Sequence, residues 1–262
     1  MKPVDVDTGD LTLIAEAATC HGGDLGLAIK MVGAAADAGA THVKFQHVDP
    51  LYFSVRTEAL GYNLREWYTR CRFSQNQWGA IILQCGLDGI KFLCTPQTSG
   101  DFADLVKLGI GEVKISSDNV TNLPLLRAVN EWGGIVYMSG GIASVDEMVD
   151  AMEVLPDCTV HRLVCTSQYP CPPENANLLR LNSWWWGDTK ATGFSDHTYG
   201  ADAALIALGL GANIFEKHFR LEAEAHGPDA SFSGDEYDLA DYCERLKIGA
   251  TMFGDGKWRA DR

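Results

Sequence analysis

Positive charge is scarce in this sequence. Lys and Arg number 21 against 35 Asp and Glu, a formal net charge of −14. A chain this acidic repels duplex DNA and anionic membrane surfaces, so neither is expected as a partner. A small anion can still be held where a few cations are gathered. No apolar run reaches the ~20 residues that span a bilayer. The opening stretch, MKPVDVDTGD, is acidic and polar, unlike a secretory signal. Eight cysteines lie at positions 20, 71, 85, 94, 158, 165, 171 and 243, and none forms a CxxC pair. A zinc ribbon or a dithiol redox motif is therefore not indicated. Several cysteines sit in apolar runs (LQCGL, FLCTP, LVCTS) and read as buried small hydrophobes. Reduced thiols and a cytoplasmic protein are the expectation. No linker or low-complexity segment appears, and no GxGxxG dinucleotide turn follows any candidate strand.

What is present is a repeat of strand and helix. Three segments share one rhythm: AAADAGATHVKFQ (34–46), DLVKLGIGEVKIS (104–116) and ALIALGLGANIFEKH (204–218). In each, an apolar helical stretch ends at Gly, and a short β-branched run follows that ends at a charged residue. Gly after a helix tolerates the left-handed conformation that closes it. Eight candidate strands can be counted, at 11–16, 42–46, 91–95, 112–116, 135–139, 161–166, 191–195 and 213–217. Capping boxes precede two of the intervening helices, Ser74 with Gln77 and Ser144 with Glu147. Short apolar strands alternating with helices make a parallel sheet covered on both faces. Eight such units in 262 residues favour a closed (β/α)8 TIM barrel, read as a single catalytic domain over 1–262. The longest irregular parts, 47–66, 167–190 and 220–236, follow strands 2, 6 and 8. In a barrel these are active-site loops.

Every candidate strand ends in polar residues. They are Glu16, Lys44 with Gln46, Thr95, Lys114 with Ser116 and Ser117, Ser139, Thr166, Ser195 with His197, and Glu216 with Lys217 and His218. Singly, each has a plainer reading: a hydroxyl caps the next helix, a Lys is solvated, a His is a satisfied core residue. Eight together at one barrel face are harder to explain that way. Two lysines with several hydroxyls can hold a phosphate or carboxylate. His197 and His218, 21 positions apart, stand one strand–helix repeat from each other. Two imidazoles with carboxylates such as Glu16 and Asp229, and no thiolate ligand, suit a divalent metal such as Mn²⁺ acting as a Lewis acid. Spacing alone stops there.

The chain also resembles the catalytic barrel of the sialic acid synthase (N-acetylneuraminate synthase) family. The segments that carry the resemblance include LIAEAATCHGG, HVKFQ, FLCTPQ, GEVKISSDN, GIVYMSGG, LVCTSQYPCPPENANL, GFSDHTYG, IFEKHF and GPDAS, between about residues 11 and 232. The resemblance implies addition of phosphoenolpyruvate, through its C3, to the open-chain aldehyde of an aldose. Water attacks C2, phosphate leaves by C–O cleavage, and a 3-deoxy-2-keto sugar acid results. By position, His197 and His218 would bind the metal, with Mn²⁺ favoured over Mg²⁺ or Co²⁺. Lys44, Thr95, Lys114, Ser117, Ser139 and Ser195 would hold phosphoenolpyruvate, and Glu16 would sit near the reacting carbons. Gln46, Tyr169 and Asp229 would contact the sugar, and Ser167 fills a substrate-side position in CTSQYP.

Three departures from the family pattern stand out. Where members have glutamate in KIxSGE, this chain has Asn119 with Asp118 beside it. The usual Asn before His21 is Cys20. The C-terminal antifreeze-like domain that lends an arginine to the partner's site is expected to be missing, since the sequence stops at KWRADR. A homodimer or a separate lid-supplying protein would then complete the site. Two alternatives remain: a metal-dependent keto-acid aldolase, and a barrel that binds sugar without turnover. Trp67 and Tyr68 read as packing residues, and Arg65, Arg70 and Arg72 as poor candidates for sugar contacts. The tryptophan run in SWWWGD reads as structural or as an oligomer contact.

Overall fold

A computed structural model describes residues 11–54, 57–182, 193–224 and 226–254. Ten strands occur among them. A small antiparallel hairpin, β3 (Glu58–Ala59) with β4 (Tyr62–Asn63), interrupts the first long loop. The other eight are β1 (Thr12–Ala18), β2 (His42–His47), β5 (Lys91–Pro96), β6 (Glu112–Ile115), β7 (Ile135–Ser139), β8 (Thr159–Cys165), β9 (Gly193–Asp196) and β10 (Ile214–His218). These eight form one parallel sheet in the spatial order β5-β2-β1-β10-β9-β8-β7-β6. The end strands β5 and β6 lie against each other, bringing the sheet round into a barrel. All eight expected strands are present, within two residues at each end. Positions 191–192 of the seventh lie outside the described residues.

Helices α1 (Leu25–Asp37), α2 (Leu64–Cys71), α3 (Gln75–Asp88), α4 (Ser99–Val106), α5 (Leu123–Trp132), α6 (Val145–Val154), α7 (Asp202–Gly209) and α8 (Glu236–Thr251) surround the strands. Both expected capping boxes form, at Ser74 with Gln77 and at Ser144 with Glu147. Each satisfies two backbone N–H groups that the first helical turn leaves without partners. The three repeat glycines, Gly39, Gly109 and Gly211, have φ of +83°, +76° and +98°, the conformation that closes a helix at little steric cost. After β8 the described residues carry only short 3₁₀ turns, Pro173–Asn175 and Leu178–Asn182. The tryptophans of SWWWGD lie outside the described residues. None of the described helices is long and apolar enough to cross a membrane.

Outward-facing strand residues pack under the helices. Val43, Phe45, Phe194 and Phe215 meet Met31, Trp78, Ala204 and Leu246 in the larger core, while Val113, Val136 and Met138 meet Leu125, Val129 and Met148 in the smaller. Each large side chain so buried stabilises the fold by roughly 2–3 kcal/mol. Inside the barrel, Ile14, Leu93, Tyr137, Leu163 and Ile214 form a mid-level layer. His42 and Glu112 complete that layer, hydrogen-bonded at 2.7 Å, and Tyr137 donates to Glu112 at 3.2 Å. Burial pushes the Glu112 carboxyl up, but His42 and Lys91 outweigh it and hold the group at about 2. β9 contributes Gly193, where a Cβ would collide with Ile214 and crowd Leu163. The barrel interior leaves room for glycine alone at that place.

Candidate active site

Strand alternation decides what stands above the mid-level layer. Two residues beyond Ile14, Leu93, Tyr137, Leu163 and Ile214 come Glu16, Thr95, Ser139, Cys165 and Glu216. The same step from His42, Glu112 and Gly193 gives Lys44, Lys114 and Ser195. One side chain from each strand thus makes a polar layer, and all eight line a single cavity of about 580 Å³. The intervening residues face away. Phe45 enters the outer core, and Lys217 reaches Asp196 at 3.2 Å and the Gly200 carbonyl at 3.0 Å. Lys217 is therefore no part of the site, although it ends a strand beside His218.

All thirteen site residues expected from the sequence line this cavity: Glu16, Lys44, Gln46, Thr95, Lys114, Ser117, Ser139, Ser167, Tyr169, Ser195, His197, His218 and Asp229. Its floor is a buried quartet of charge. Lys44 Nζ lies 2.9 Å from Glu16 and 3.6 Å from Glu216, and Lys114 Nζ lies 3.7 Å from Glu216. Lys44 also donates to Thr95 Oγ1 at 3.1 Å, and Ser195 donates to Glu216 at 2.7 Å. Burial works to lower Lys44, but Glu16 and Glu216 outweigh it and keep the ammonium charged. Burial likewise pushes Glu216 up, yet Lys114 and Lys44 hold it down at about 2. Lys114 is lowered, chiefly by burial. Glu16 is raised by burial, with Lys44 opposing. Glu16 Oε2, Glu216 Oε2 and Ser139 Oγ are buried without a hydrogen-bond partner. Groups left so at a cavity floor are placed to meet a ligand.

On the β6–β8 side the lining is rich in hydroxyls. Ser117 Oγ and Ser167 Oγ are 3.2 Å apart. Beside them the chain runs through Gly141, where a Cβ would collide with Ser167 Oγ and Cys165 Sγ and crowd Ser117 Oγ. Three serines, a lysine and a bare backbone make a cradle for a compact anion.

The β9–β10 side holds the imidazoles. His197 and His218 have ring centroids 5.6 Å apart, with Tyr169 4.1 Å from His197 and Phe232 5.2 Å from His218. His197 Nδ1 lies 2.7 Å from the Thr166 carbonyl, an acceptor, so that nitrogen carries the proton and Nε2 offers a lone pair. His218 Nδ1 is buried without a partner. Burial lowers both imidazoles, His218 far below its usual value, so both are neutral. Two neutral imidazoles are the donors a divalent metal takes. Among the described residues, no group of three or more His, Cys, Asp or Glu is placed to hold one.

The remaining wall faces a polyol. Tyr68 donates to Gln46 Oε1 at 2.8 Å, and Gln46 donates to Glu16 at 3.1 Å. Tyr68 therefore lines the cavity, which corrects its reading as a packing residue. Trp67 does pack, donating to Thr19 Oγ1 at 2.9 Å. Arg72 turns away to Asp49 and Asp104, and Arg70 covers the Trp67 ring. Asp229 is raised to about 7 by burial and by the Glu16 charge, and its Oδ2 has no partner.

Glu216 is the residue that sequence reasoning left out. It is visible as a strand end, but only the fold shows it anchoring both lysines. Asn119 does not line the cavity. It is buried beneath, donating to Gln97 Oε1 and to Ser116 Oγ at 3.3 Å and accepting from Asn122 at 2.7 Å. Asp118, beside it, does line the mouth, 3.5 Å from the Tyr52 hydroxyl. Cys20 is buried, and His21 stacks on Phe73 at 4.5 Å while accepting from Gly23 N–H at 3.0 Å. These two order the first loop rather than the cavity.

Comparison with known proteins agrees with this geometry. The N,N'-diacetyllegionaminic acid synthase of Campylobacter jejuni is 31% identical over 95% of this chain and 79% of its own length. The enzyme of the same name from Legionella pneumophila is 28% identical over 94% and 74%. The crystal structure of the N-acetylneuraminic acid synthetase of Leptospira borgpetersenii, in complex with citrate, superposes with a TM-score of 0.87 at 28% identity. The match covers 96% of this chain and 88% of that one. The model of the NeuB family matches residues 31–258. With that match and these relatives, the chain belongs to the NeuB family and is a sialic acid synthase-like enzyme.

Proposed function

We propose that this protein condenses phosphoenolpyruvate with the open-chain form of an aldose, giving a 3-deoxy-2-keto sugar acid and inorganic phosphate. A C–C bond forms between C3 of phosphoenolpyruvate and the aldehyde carbon, which becomes a hydroxyl-bearing carbon. One water adds at C2, and the bond from C2 to the phosphate oxygen breaks as the keto group forms. The observation that carries the reading is the buried pair Lys44 and Lys114, set in one cavity with the Ser117–Ser139–Ser167 hydroxyls and the imidazole pair.

The lysines neutralise the carboxylate and phosphate of phosphoenolpyruvate, and the serines with the bare Gly141 backbone fix its orientation. Fixed cations in a water-poor floor stabilise developing charge better than solvent does. Glu16, raised by burial and bonded to Gln46 and Lys44, is the group set to orient water or carry a proton. Gln46, Tyr169 and Asp229 meet the sugar hydroxyls. His197 and His218 would hold a divalent ion, Mn²⁺ first, with Mg²⁺ or Co²⁺ as substitutes. Such an ion, when bound, polarises a carbonyl oxygen. The eight cysteines carry no disulfide, which supports a reducing, cytoplasmic setting. The buried Asn119 favours the alternative, a barrel that binds both ligands without turnover. A homodimer or a separate lid-supplying protein would complete the site.

The test is phosphate release from phosphoenolpyruvate with Mn²⁺ across a panel of aldoses that includes N-acetylmannosamine and unacetylated sugars. Release that depends on one sugar is the expected result. Binding of phosphoenolpyruvate with no release from any sugar would leave the non-catalytic barrel in its place.

A further inference from the structure

The inward row of β10 does not stop at His218. The chain stays extended beyond the strand: Phe219 N–H donates to the Glu16 carbonyl and Arg220 N–H to the Gly234 carbonyl, both at 2.9 Å. Phe219 also bridges Gly234 in parallel register. Alternation therefore adds Arg220 to the row of Glu216 and His218, roughly 7 Å nearer the rim than His218. There Arg220 lines a second cavity of about 580 Å³. One wall is Leu60 and Tyr62 of the β3–β4 hairpin, and the other is the turn around Gly227 and Ser231. That turn is pinned in place, since a Cβ on Gly227 would collide with the Trp67 indole. Leu60 and Pro228 line both cavities. The second chamber is thus an annex that adjoins the main one at those two apolar residues.

In a chain with 35 acidic and 21 basic side chains, a cation at the mouth without a counter-charge calls for an explanation. Among the described residues no carboxylate pairs with Arg220. Its guanidinium donates to the carbonyls of Leu221 at 3.3 Å and Glu222 at 3.5 Å. Glu222 is exposed, and three other acids of these segments have partners or positions of their own. Glu224 pairs with Lys30 at 2.8 Å, Glu236 accepts from Glu222 N–H at 2.7 Å, and Asp229 lines the main cavity. A half-buried guanidinium keeps donors in a fixed fork that matches a carboxylate or a phosphate.

We propose that the annex binds an anionic group, a phosphate ester or a carboxylate, carried on the end of the aldose remote from its aldehyde. The proposal rests on the synthase reading, which sets the aldehyde beside His197 and His218. An open-chain hexose with its aldehyde there would extend along the same row toward Leu60, Pro228 and Arg220. Arg220 is then the residue that selects a charged over an uncharged sugar.

The experiment compares kcat/KM for N-acetylmannosamine and its 6-phosphate, and for mannose and mannuronate, in the wild-type protein, Arg220→Ala and Arg220→Lys. The wild-type protein is expected to prefer the charged member of at least one pair by 10-fold or more, and which pair identifies phosphate or carboxylate. In Arg220→Ala that ratio should fall about 10- to 100-fold, the effect of losing charge-assisted hydrogen bonds. Arg220→Lys should fall between. The ratio within one preparation is insensitive to how much protein is folded. A wild-type ratio near one, or one unchanged in Arg220→Ala, overturns the proposal while leaving the synthase reading intact. Calorimetric titration of the same sugars into phosphoenolpyruvate-loaded protein separates the two readings when nothing turns over. Charged-sugar binding that Arg220→Ala abolishes keeps the annex and removes the synthase. Binding that is absent, or equal in both proteins, removes the annex.

Discussion

Lys114 and Glu216 face each other at 3.7 Å on the floor of the barrel, both almost wholly buried. The same carboxylate also stands 3.6 Å from Lys44. Two buried ammonium groups would repel each other strongly in a medium of low polarity. Glu216 is what lets them coexist before an anionic substrate arrives.

Glu216→Gln should therefore be unstable when empty and rescued by ligand. Removing one partner of a buried ion pair costs about 3–5 kcal/mol. Lys114 would be left without a carboxylate, while Lys44 keeps Glu16. Thermal melts should show a lowered midpoint, and phosphoenolpyruvate should raise it further than it raises wild type. A variant as stable as wild type, with the same ligand response, would show that the lysines do not depend on Glu216.

His218→Ala should keep the fold and lose Mn²⁺. The side chain lines the cavity, and its Nδ1 has no hydrogen-bond partner. Calorimetric titration with Mn²⁺ should show binding weakened by at least 10-fold, the scale on which a lost ligand or its support is felt. Metal-dependent phosphate release should fall with it. Full activity together with full Mn²⁺ binding would remove the imidazole pair as the metal site.

Asp229→Asn should stabilise the protein in alkali and leave it unchanged in acid. Burial and the Glu16 charge raise this carboxyl from 3.8 to about 7 in the folded state. A raised carboxyl means the native state holds its proton longer than the unfolded chain. Stability is thus lost as pH climbs from about 4 to 7, and the loss is complete above 7. Asparagine removes the charge responsible for that loss, so the variant should gain about 4 kcal/mol at pH 8 and almost nothing at pH 4. Denaturant melts at the two pH values measure this. Equal effects at both would mean that Asp229 is ionised in an unstrained site.

Asn119→Glu should lower stability without raising turnover. The Asn119 amide donates to Gln97 and Ser116 and accepts from Asn122, below the cavity wall. A carboxylate there has no N–H to donate and faces the Gln97 oxygen. Losing those donors in a buried site costs about 1–3 kcal/mol. A faster enzyme would show instead that Glu at this position reaches the reacting atoms.

The strands, their order along the chain and the end at which they carry chemistry are legible in the amino-acid sequence alone. The reasons are local. Gly39, Gly109 and Gly211 end helices because they accept φ near +80° to +100°. Ser74 and Ser144 begin helices because their hydroxyls satisfy free N–H groups. Strand alternation fixes that Glu16, Lys44 and Glu216 share a face, because successive side chains point to opposite sides. Which residues then touch is a matter of eight strands closing on one another, and no spacing in the sequence states that. So Glu216 between two lysines, Tyr68 behind Gln46 and Asn119 beneath the cavity emerge only from the barrel. The same is true of Arg220. The chain continues extended past His218 only because Glu16 and Gly234 accept its N–H groups. Those two partners come from the barrel's first strand and the segment before α8. The sequence by itself determined the parts and their periodicity; long-range backbone pairing decided which charges meet, and with them the site.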